Sequence, residues 1–243
     1  MIHNKLVADT IYLSLIVQLV TTFISLDGLN FDLEEKDNIL KHILILEAFV
    51  QFIEFGFYLW VVLALKDLRI MTPRRYIDWF ITTPTMLIST IIFMEYLKLK
   101  EENKTLNFRD FIKDHQQNII QLVTFNFLML LSGILGEIGT INKNVSVVIG
   151  FIFFYFSFKL IYDNYARHTE LGKQLFIFLV ICWALYGVAA LLKLTPKNTM
   201  YNLLDIVSKN FYGLFIYYYI TQTGTRSGTF LDFTKRESWI DSV

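Results

Sequence analysis

Seven long apolar segments constrain the fold of this chain more than any other feature. A helix needs about 20 mostly apolar residues to cross a bilayer. Inside the hydrocarbon region, only helices and closed barrels satisfy every backbone polar group, and runs this long favour helices. We therefore predict an all-α membrane protein with seven transmembrane helices. The predicted spans cover residues 6–26, 39–65, 75–97, 119–138, 145–165, 175–194 and 200–222.

Charge, cysteine and histidine content argue against several other classes of protein. Charged residues make up 18% of the chain, whereas soluble domains have about a quarter. The formal net charge is zero, so nothing indicates a nucleic-acid partner. The single cysteine, Cys182, lies in an apolar run and is expected to be a packing residue. The four histidines are scattered without ligand spacing, so we expect no metal site.

The connections between the spans predict the domain organisation and the orientation in the membrane. They contain no Pro-rich or Gly-rich linker, which predicts one domain over residues 1–223 and a cytoplasmic tail over residues 224–243. The first apolar stretch could be a signal peptide, but its length and the lack of a cleavage pattern favour a retained helix. With the C-terminus inside, the inner segments hold twelve Lys and Arg and the outer ones seven. This bias predicts a multi-pass membrane protein with an extracellular N-terminus and a cytoplasmic C-terminus.

One inner connection has a further possibility. The sequence FRDFIKDH, between the third and fourth spans, is compatible with a short helix on the inner face or with a solvated loop.

Ionisable residues inside the third and seventh spans mark a functional site, because such groups are expensive in a membrane. In the third span, Arg75 and Asp78 lie one turn apart, and Ser89 returns to the face of Asp78 about three turns later. In the seventh span, Asp205 and Lys209 have i, i+4 spacing.

The second span also carries a polar stripe, because Glu47, Gln51 and Glu54 are spaced four and three residues apart. Lys159 in the fifth span is predicted to lie deep in the membrane, and no role follows from its position.

Two interpretations of Asp205 and Lys209 are open. A helix salt bridge suits an exposed pair, but at the centre of an apolar helix its desolvation can exceed the Coulomb gain. A buried lysine is suited to a covalent bond with a carbonyl compound as a Schiff base. Protonation of that base requires a buried anion, and Asp78 and Asp205 are both available.

These motifs resemble those of the microbial (type 1) rhodopsins, seven-helix proteins that hold retinal on a lysine of the last helix. The third span of the proton pumps in that family reads R-Y-x-D-W-x-x-T-T-P, and residues 75–84 match every fixed position. The aspartate and lysine of the seventh span also match. The sixth-span motif W-x-x-Y-P matches from Trp183 to Tyr186, with Gly187 in place of proline, and MLLSGILG resembles the fourth span.

The resemblance implies a cofactor and a role for each matched residue. All-trans retinal would be bound in the bundle core as a protonated Schiff base on Lys209. Asp78 would be the primary counterion and proton acceptor, Asp205 the second counterion, and Arg75 the group that balances both carboxylates. Thr82 would provide local hydrogen bonding. The residues implied for the retinal pocket are Trp79, Thr83, Met129, Gly133, Trp183 and Tyr186.

Three departures from the pumps change the functional expectation. Their proton-donor aspartate in the third span is replaced by Ser89, which cannot hold a transferable proton near neutral pH. The connection LKLTPKNTMYN lacks the acidic release pair. Glu54 replaces a small residue near the Schiff base, and Glu47 would line the cytoplasmic half, as glutamates do in channelrhodopsins. Together, the motif Asp78, Thr82, Ser89 and these glutamates most resemble the rhodopsins of giant algal viruses.

We therefore expect a photoreceptor, not an enzyme, that moves cations across the membrane in response to light. The preferred activity is a light-gated cation channel along the second, third and seventh helices. Glu47 and Glu54 would be gate or selectivity groups, although both could instead be protonated and merely hydrogen-bonded. A light-driven outward proton pump, with Glu47 as a displaced donor, is the alternative, and a photosensor coupled to a partner is the third. The expected partners are retinal, membrane lipid, transported cations including protons, and further copies of the chain in a homo-oligomer.

Overall fold

The computed structural model describes residues 5–64 and 67–226, and in this part of the chain helices predominate. The helices are α1 (Lys5–Asp27), α2 (Ile39–Ala64), α3 (Leu68–Glu101), α4 (Phe108–Asp114), α5 (Gln116–Glu137), α6 (Lys143–Asn164), α7 (Glu170–Ala190), α8 (Leu194–Asp205) and α9 (Phe211–Thr223). Short 3₁₀ turns cover Gly28–Asn30, Glu35–Asp37 and Ala166–His168. Strands β1 (Phe31–Asp32) and β2 (Thr225–Arg226) form a small antiparallel pair.

Seven membrane-spanning helices form one bundle, as predicted. Within the described residues, six helices are individually long and apolar enough to cross a membrane: α1, α2, α3, α5, α6 and α7. The seventh is assembled from α8, a π-helical segment over Ile206–Asn210, and α9, which follow one another without a break. Membrane-spanning helices that follow one another along the chain pack together. The first helix, α1, also contacts α8 and α9 of the seventh helix, which closes the bundle.

The third helix is longer than predicted. It begins at Leu68, seven residues before the expected start, so Pro73 lies inside it as well as Pro84. The predicted span of residues 75–97 contains only Pro84, so Pro73 was missed as a proline inside the helix. A proline leaves a carbonyl of the preceding turn without its helical partner. Threonine hydroxyls bond to the carbonyls beside that position, Thr83 to that of Trp79 at 2.7 Å and Thr85 to that of Ile81 at 2.8 Å.

The seventh helix is also longer than predicted. It begins at Leu194, so most of LKLTPKNTMYN is helical and not a loop. A π segment opens the helix by one residue and is common at functional sites. Here it contains Lys209.

Apolar side chains divide between the interior and the lipid-facing surface. The main core lies between α2, α3, α7 and α9 and includes Leu40, Ile91, Phe93 and Ile216. Large apolar side chains on α1, α6 and other helices are exposed, as the hydrocarbon of a bilayer requires.

The end of the bundle predicted to face the cytoplasm carries two ordered features. Residues 108–114 of FRDFIKDH form α4, which anchors itself through the buried ring of Phe111. The first residues of the predicted C-terminal tail pair with the connection between α1 and α2, because Arg226 lies opposite Phe31. The rest of the tail, residues 227–243, lies outside the described residues.

Candidate functional site

Lys209 lies at the centre of a buried cluster of carboxylates. Its Nζ is 2.9 Å from Asp78 Oδ2, 2.9 Å from Glu54 Oε1 and 3.7 Å from Asp205 Oδ1. All four side chains are almost completely buried. Three helical elements, α2, α3 and the junction of α8 with the π segment, thus bring three carboxylates to one amine.

Asp205 is held by donors from three other helices. Tyr58 on α2 donates to its Oδ2 at 2.7 Å, and Tyr186 on α7 donates to its Oδ1 at 2.7 Å. The guanidinium of Arg75 on α3 also pairs with Oδ2. Both carboxylate oxygens of Asp205 are therefore occupied before any ligand binds.

Arg75 is positioned by neutral groups as well as by Asp205. Its Nη1 donates to the Tyr58 hydroxyl at 2.9 Å, and its Nη2 donates to Asn202 Oδ1 at 2.6 Å. Its only ion pair within residues 5–64 and 67–226 is with Asp205. Arg75 therefore lies beside Asp205 and Asn202 of α8, and its balancing of Asp78 as well stays a prediction.

A cavity extends from Lys209 between α3, α5, α6 and α7. Its walls are largely aromatic and small residues: the ring of Trp79 meets those of Tyr186 and Tyr201 edge-on, with centroids 5.4 and 5.1 Å apart. Glu137 and Lys143 also line it. All six residues implied for the retinal pocket contribute to its lining: Trp79, Thr83, Met129, Gly133, Trp183 and Tyr186.

Gly133 is needed for the close approach of α3 to α5. A Cβ at this position would meet the hydroxyl and ring of Tyr76, so any larger side chain would displace that ring.

The two threonines of the third span have different surroundings. Thr82 donates to the backbone carbonyl of Asp78 at 3.0 Å, which occupies its hydroxyl within the helix. Thr83 accepts a hydrogen bond of 2.8 Å from Asn126 on α5. Asn126, which interrupts the apolar run of the fourth span, therefore links α5 to α3 beside the cavity.

Ser89 and Glu47 meet farther along α3 and α2. Ser89 donates a hydrogen bond to Glu47 Oε1, and both side chains are completely buried. The other oxygen of Glu47 has no hydrogen-bond partner among the described residues.

The structure also brings in two residues that the sequence did not single out, Tyr58 and Asn202. Tyr58 lies four residues after Glu54 on α2, and Asn202 lies three residues before Asp205 on the same helix. That spacing was the available signal for Asn202.

Lys159 does not lie deep in its membrane-spanning helix, in contrast to the prediction. It lies near the end of α6, pairs with Asp163 at 2.5 Å, and is about half exposed.

The cavity and its lysine suit an elongated, apolar, carbonyl-bearing ligand. An amine able to form a Schiff base lies at one end, with anions beside it that would stabilise the protonated base. One of these anions, Asp78, has an oxygen without a hydrogen-bond partner in the described residues. A seven-helix bundle with such a lysine in its seventh helix has the architecture of a retinal-binding membrane protein.

Comparisons with known proteins place the chain in this class. The family model described as bacteriorhodopsin-like protein matches residues 9–223, so the chain belongs to the bacteriorhodopsin-like family. Members of this family are multi-pass membrane proteins and bind retinal through a Schiff base to a lysine. The predicted resemblance to microbial rhodopsins is thereby confirmed.

Solved structures agree with the family assignment. A crystal structure of viral rhodopsin OLPVRII is 27% identical with a TM-score of 0.78, covering 90% of this chain and 99% of that one. A blue light-absorbing proteorhodopsin from Med12 is 21% identical with a TM-score of 0.66, covering 89% and 96%. Halorhodopsin, a light-driven chloride pump, is 11% identical with a TM-score of 0.70, covering 90% and 97%. A search of the curated proteins finds no significant sequence match.

Proposed function

We propose that this protein is a retinal photoreceptor that moves cations across the membrane in response to light, through a light-gated channel. The observation that carries the proposal is the position of Lys209 Nζ, 2.9 Å from both Asp78 and Glu54 at the end of an aromatic cavity. All-trans retinal, bound to Lys209 as a protonated Schiff base, would supply light absorption and photoisomerisation. The protein's own residues supply the anions, the proton acceptor and the ion path.

Asp78 is the proposed proton acceptor, because Asp205 is already committed to other donors. Asp205 accepts from Arg75, Tyr58 and Tyr186. Asp78 accepts only from Lys209 among the described side chains and has one oxygen without a partner. Hydrogen bonds stabilise the charged form of a carboxylate, so a carboxylate with fewer of them takes up a proton more readily.

Glu54 is the proposed proton-bearing member of the cluster. Three carboxylates and two cations, Arg75 and Lys209, would leave one uncompensated negative charge in a buried site, and such a charge is costly. One carboxyl therefore retains a proton at rest. Among the described residues, Asp205 pairs with Arg75 and Asp78 accepts a hydrogen bond from Lys209, whereas Glu54 does neither. Glu54 is therefore the carboxyl that fits this role.

Unpaired polar groups between α1, α2 and the seventh helix support the channel. The side-chain amide of Gln18 has no hydrogen-bond partner in the described structure, and the same holds for Gln51 Nε2 and Asn210 Nδ2. All three side chains are completely or almost completely buried. Buried polar groups without protein partners are normally satisfied by water. Water along these amides, together with the carboxyl groups of Glu47 and Glu54 on α2, would attract cations and repel anions.

The pair formed by Glu47 and Ser89 supports the second candidate function, an outward proton pump. Glu47 is a buried carboxyl at the level where the pumps of the family carry their donor on the third helix. If it supplies the returning proton, Ser89 orients it. A photosensor coupled to a partner is the third candidate.

Photocurrent recorded against voltage in a patched cell separates the three functions. We expect a current that reverses sign near the equilibrium potential of the conducted cation. A current that stays outward at all voltages would establish the pump, and no current in a protein that absorbs visible light would favour the sensor.

The proposed orientation places the N-terminus outside and the C-terminus in the cytoplasm, from the excess of Lys and Arg on that side. A homo-oligomer surrounded by lipid remains the proposed assembly.

A further inference from the structure

A lysine ammonium is enclosed by an anion and two aromatic rings at the end of the bundle that carries the C-terminal strand. Lys100 Nζ lies 2.9 Å from Asp37 Oδ1 and 2.7 Å from the Tyr96 hydroxyl. It also lies 5.2 and 5.3 Å from the ring centroids of Tyr96 and Tyr219. We name the three groups around the ammonium, Asp37, Tyr96 and Tyr219, the cation cage.

Burial distinguishes this cluster from an ordinary surface salt bridge. The Asp37 side chain is 4% exposed and Tyr96 is 1% exposed, although the Lys100 side chain is 30% exposed. Tyr96 also donates a hydrogen bond to Asp37 Oδ1. An anion this deeply buried requires a cation, and among the described residues Lys100 forms the ion pair with it.

The cation cage lies directly beyond the pair of Glu47 and Ser89. Tyr96 follows Ser89 by seven residues on α3, which is two helical turns on the same face. Asp37 precedes α2, the helix that carries Glu47. The rise of seven helical residues puts the cage about 10 Å nearer the membrane surface.

A thin apolar layer separates the two levels. The ring of Phe93 is completely buried and packs edge-on against Phe215 and Tyr219, with centroids 5.5 and 5.4 Å apart. Along α3, the pair of Glu47 and Ser89, the layer at Phe93 and the cation cage at Tyr96 therefore follow one another toward the membrane surface.

We propose that Lys100 is a tethered cation that fills a cation site at the cytoplasmic mouth of the ion path and so controls which ions enter it. The control of ion entry rests on the proposed function, whereas the occupation of the cation site by Lys100 does not. A carboxylate, a phenolic oxygen and two π faces are the groups that would bind a monovalent cation. The ammonium of Lys100 satisfies them from within the chain and repels a second cation.

Removal of this ammonium exposes Asp37 to cations from solvent. A cleft lined by a single sign of charge raises the local concentration and entry rate of the opposite charge by about tenfold or more. Lys100→Met keeps most of the aliphatic stem, Lys100→Gln removes the same charge with a polar end, and Lys100→Arg keeps the charge. Lys98→Met is the matched control, because Lys98 lies on the same helix end but pairs with Glu95.

Cysteine labelling measures cation entry without light or current. Leu40 follows Asp37 by three residues and is completely buried, so we use the labelling of Leu40→Cys in a Cys182→Ala background as the reporter of entry beside Asp37. The labelling rate is compared for aminoethyl methanethiosulfonate, which is cationic, and methyl methanethiosulfonate, which is neutral. We expect Lys100→Met and Lys100→Gln to raise the ratio of the two rates on the order of tenfold.

The ratio of the two labelling rates distinguishes an effect of charge from a general loosening of the structure. Loosening would accelerate labelling by both reagents equally and leave the ratio unchanged. Lys100→Arg and Lys98→Met should keep the parent ratio. An unchanged ratio in Lys100→Met and Lys100→Gln, or an equal rise in Lys98→Met, would overturn the assignment of Lys100.

Photocurrent tests the proposed function separately from this inference. If the ratio rises but no reversing current appears in the parent protein, the assignment of Lys100 to the cation site is supported and the proposed channel is contradicted. If the current reverses as expected but the ratio is unchanged, the channel stands and Lys100 is not its gate.

Discussion

Glu47 on α2 accepts a hydrogen bond from Ser89 on α3, and neither side chain is accessible to solvent. The carboxyl and the hydroxyl together occupy the level at which related pumps carry an aspartate on the third helix. In this protein the carboxyl group belongs to Glu47 on the neighbouring helix, and the hydroxyl of Ser89 stands at the position of that aspartate. Whether that carboxyl moves a proton or lines an ion path is the central functional question for this protein.

Glu47→Gln tests proton supply from this position. If Glu47 returns a proton to the site, its amide should slow recovery of the dark absorbance by about 10²- to 10⁴-fold, the contribution typical of a general acid. Flash photolysis measures the recovery rate. Glu95→Gln is the control, since Glu95 is a buried carboxylate that pairs with Lys98 outside the site. Equal recovery in Glu47→Gln and the parent would exclude the donor role.

Lys209→Ala should abolish visible absorbance after addition of retinal, because no other amine touches the three carboxylates among the described residues. Lys159→Ala should retain the parent spectrum, since Lys159 is half exposed and pairs with Asp163. Colour that survives Lys209→Ala would refute the attachment site.

Asp78→Asn should shift the absorbance maximum to longer wavelength. The anion at 2.9 Å stabilises the positive charge on Lys209 in the ground state, and its loss narrows the energy gap to the excited state. The spectrum of the purified protein is the measurement. If the spectrum and the photocycle are both unchanged, Asp78 is not the primary counterion.

Asp205→Asn should destabilise the protein more than Asp78→Asn does. Arg75 would keep its bonds to Tyr58 and Asn202 but lose its anion while completely buried. Breaking a buried ion pair costs about 3–5 kcal/mol. Thermal unfolding of both variants in the same detergent compares them, and equal midpoints would show that the pair contributes little.

Glu54→Gln tests the preferred channel. Replacement of a carboxyl 2.9 Å from Lys209 should alter the size or ion selectivity of the photocurrent. The measurement is the reversal potential under sodium, potassium and proton gradients. A strictly outward current with the same amplitude in the variant and the parent would contradict both the channel and the role of Glu54.

Sequence alone was enough to predict the seven helices, which the structure confirms, and to single out the charged residues of the candidate site. Apolar runs of about 20 residues leave the backbone no other way to satisfy its hydrogen bonds in lipid. Charges are so costly in such runs that Arg75, Asp78, Asp205 and Lys209 could be identified from spacing alone. The family was also predictable, because the motif RYIDWFITTP is local and matches at every fixed position.

The contacts that these residues make with one another depend on how whole helices pack. Spacing along one helix cannot tell which carboxylate faces a cation on another helix, so the pairing of Arg75 with Asp205, through Tyr58 and Asn202, was not predictable. Helix ends were also missed at Leu68 and Leu194, because polar residues continue those helices beyond the apolar run. The meeting of Asp37 with Lys100 joins residues 63 positions apart. Such contacts follow from the packing of whole helices, which no local pattern encodes.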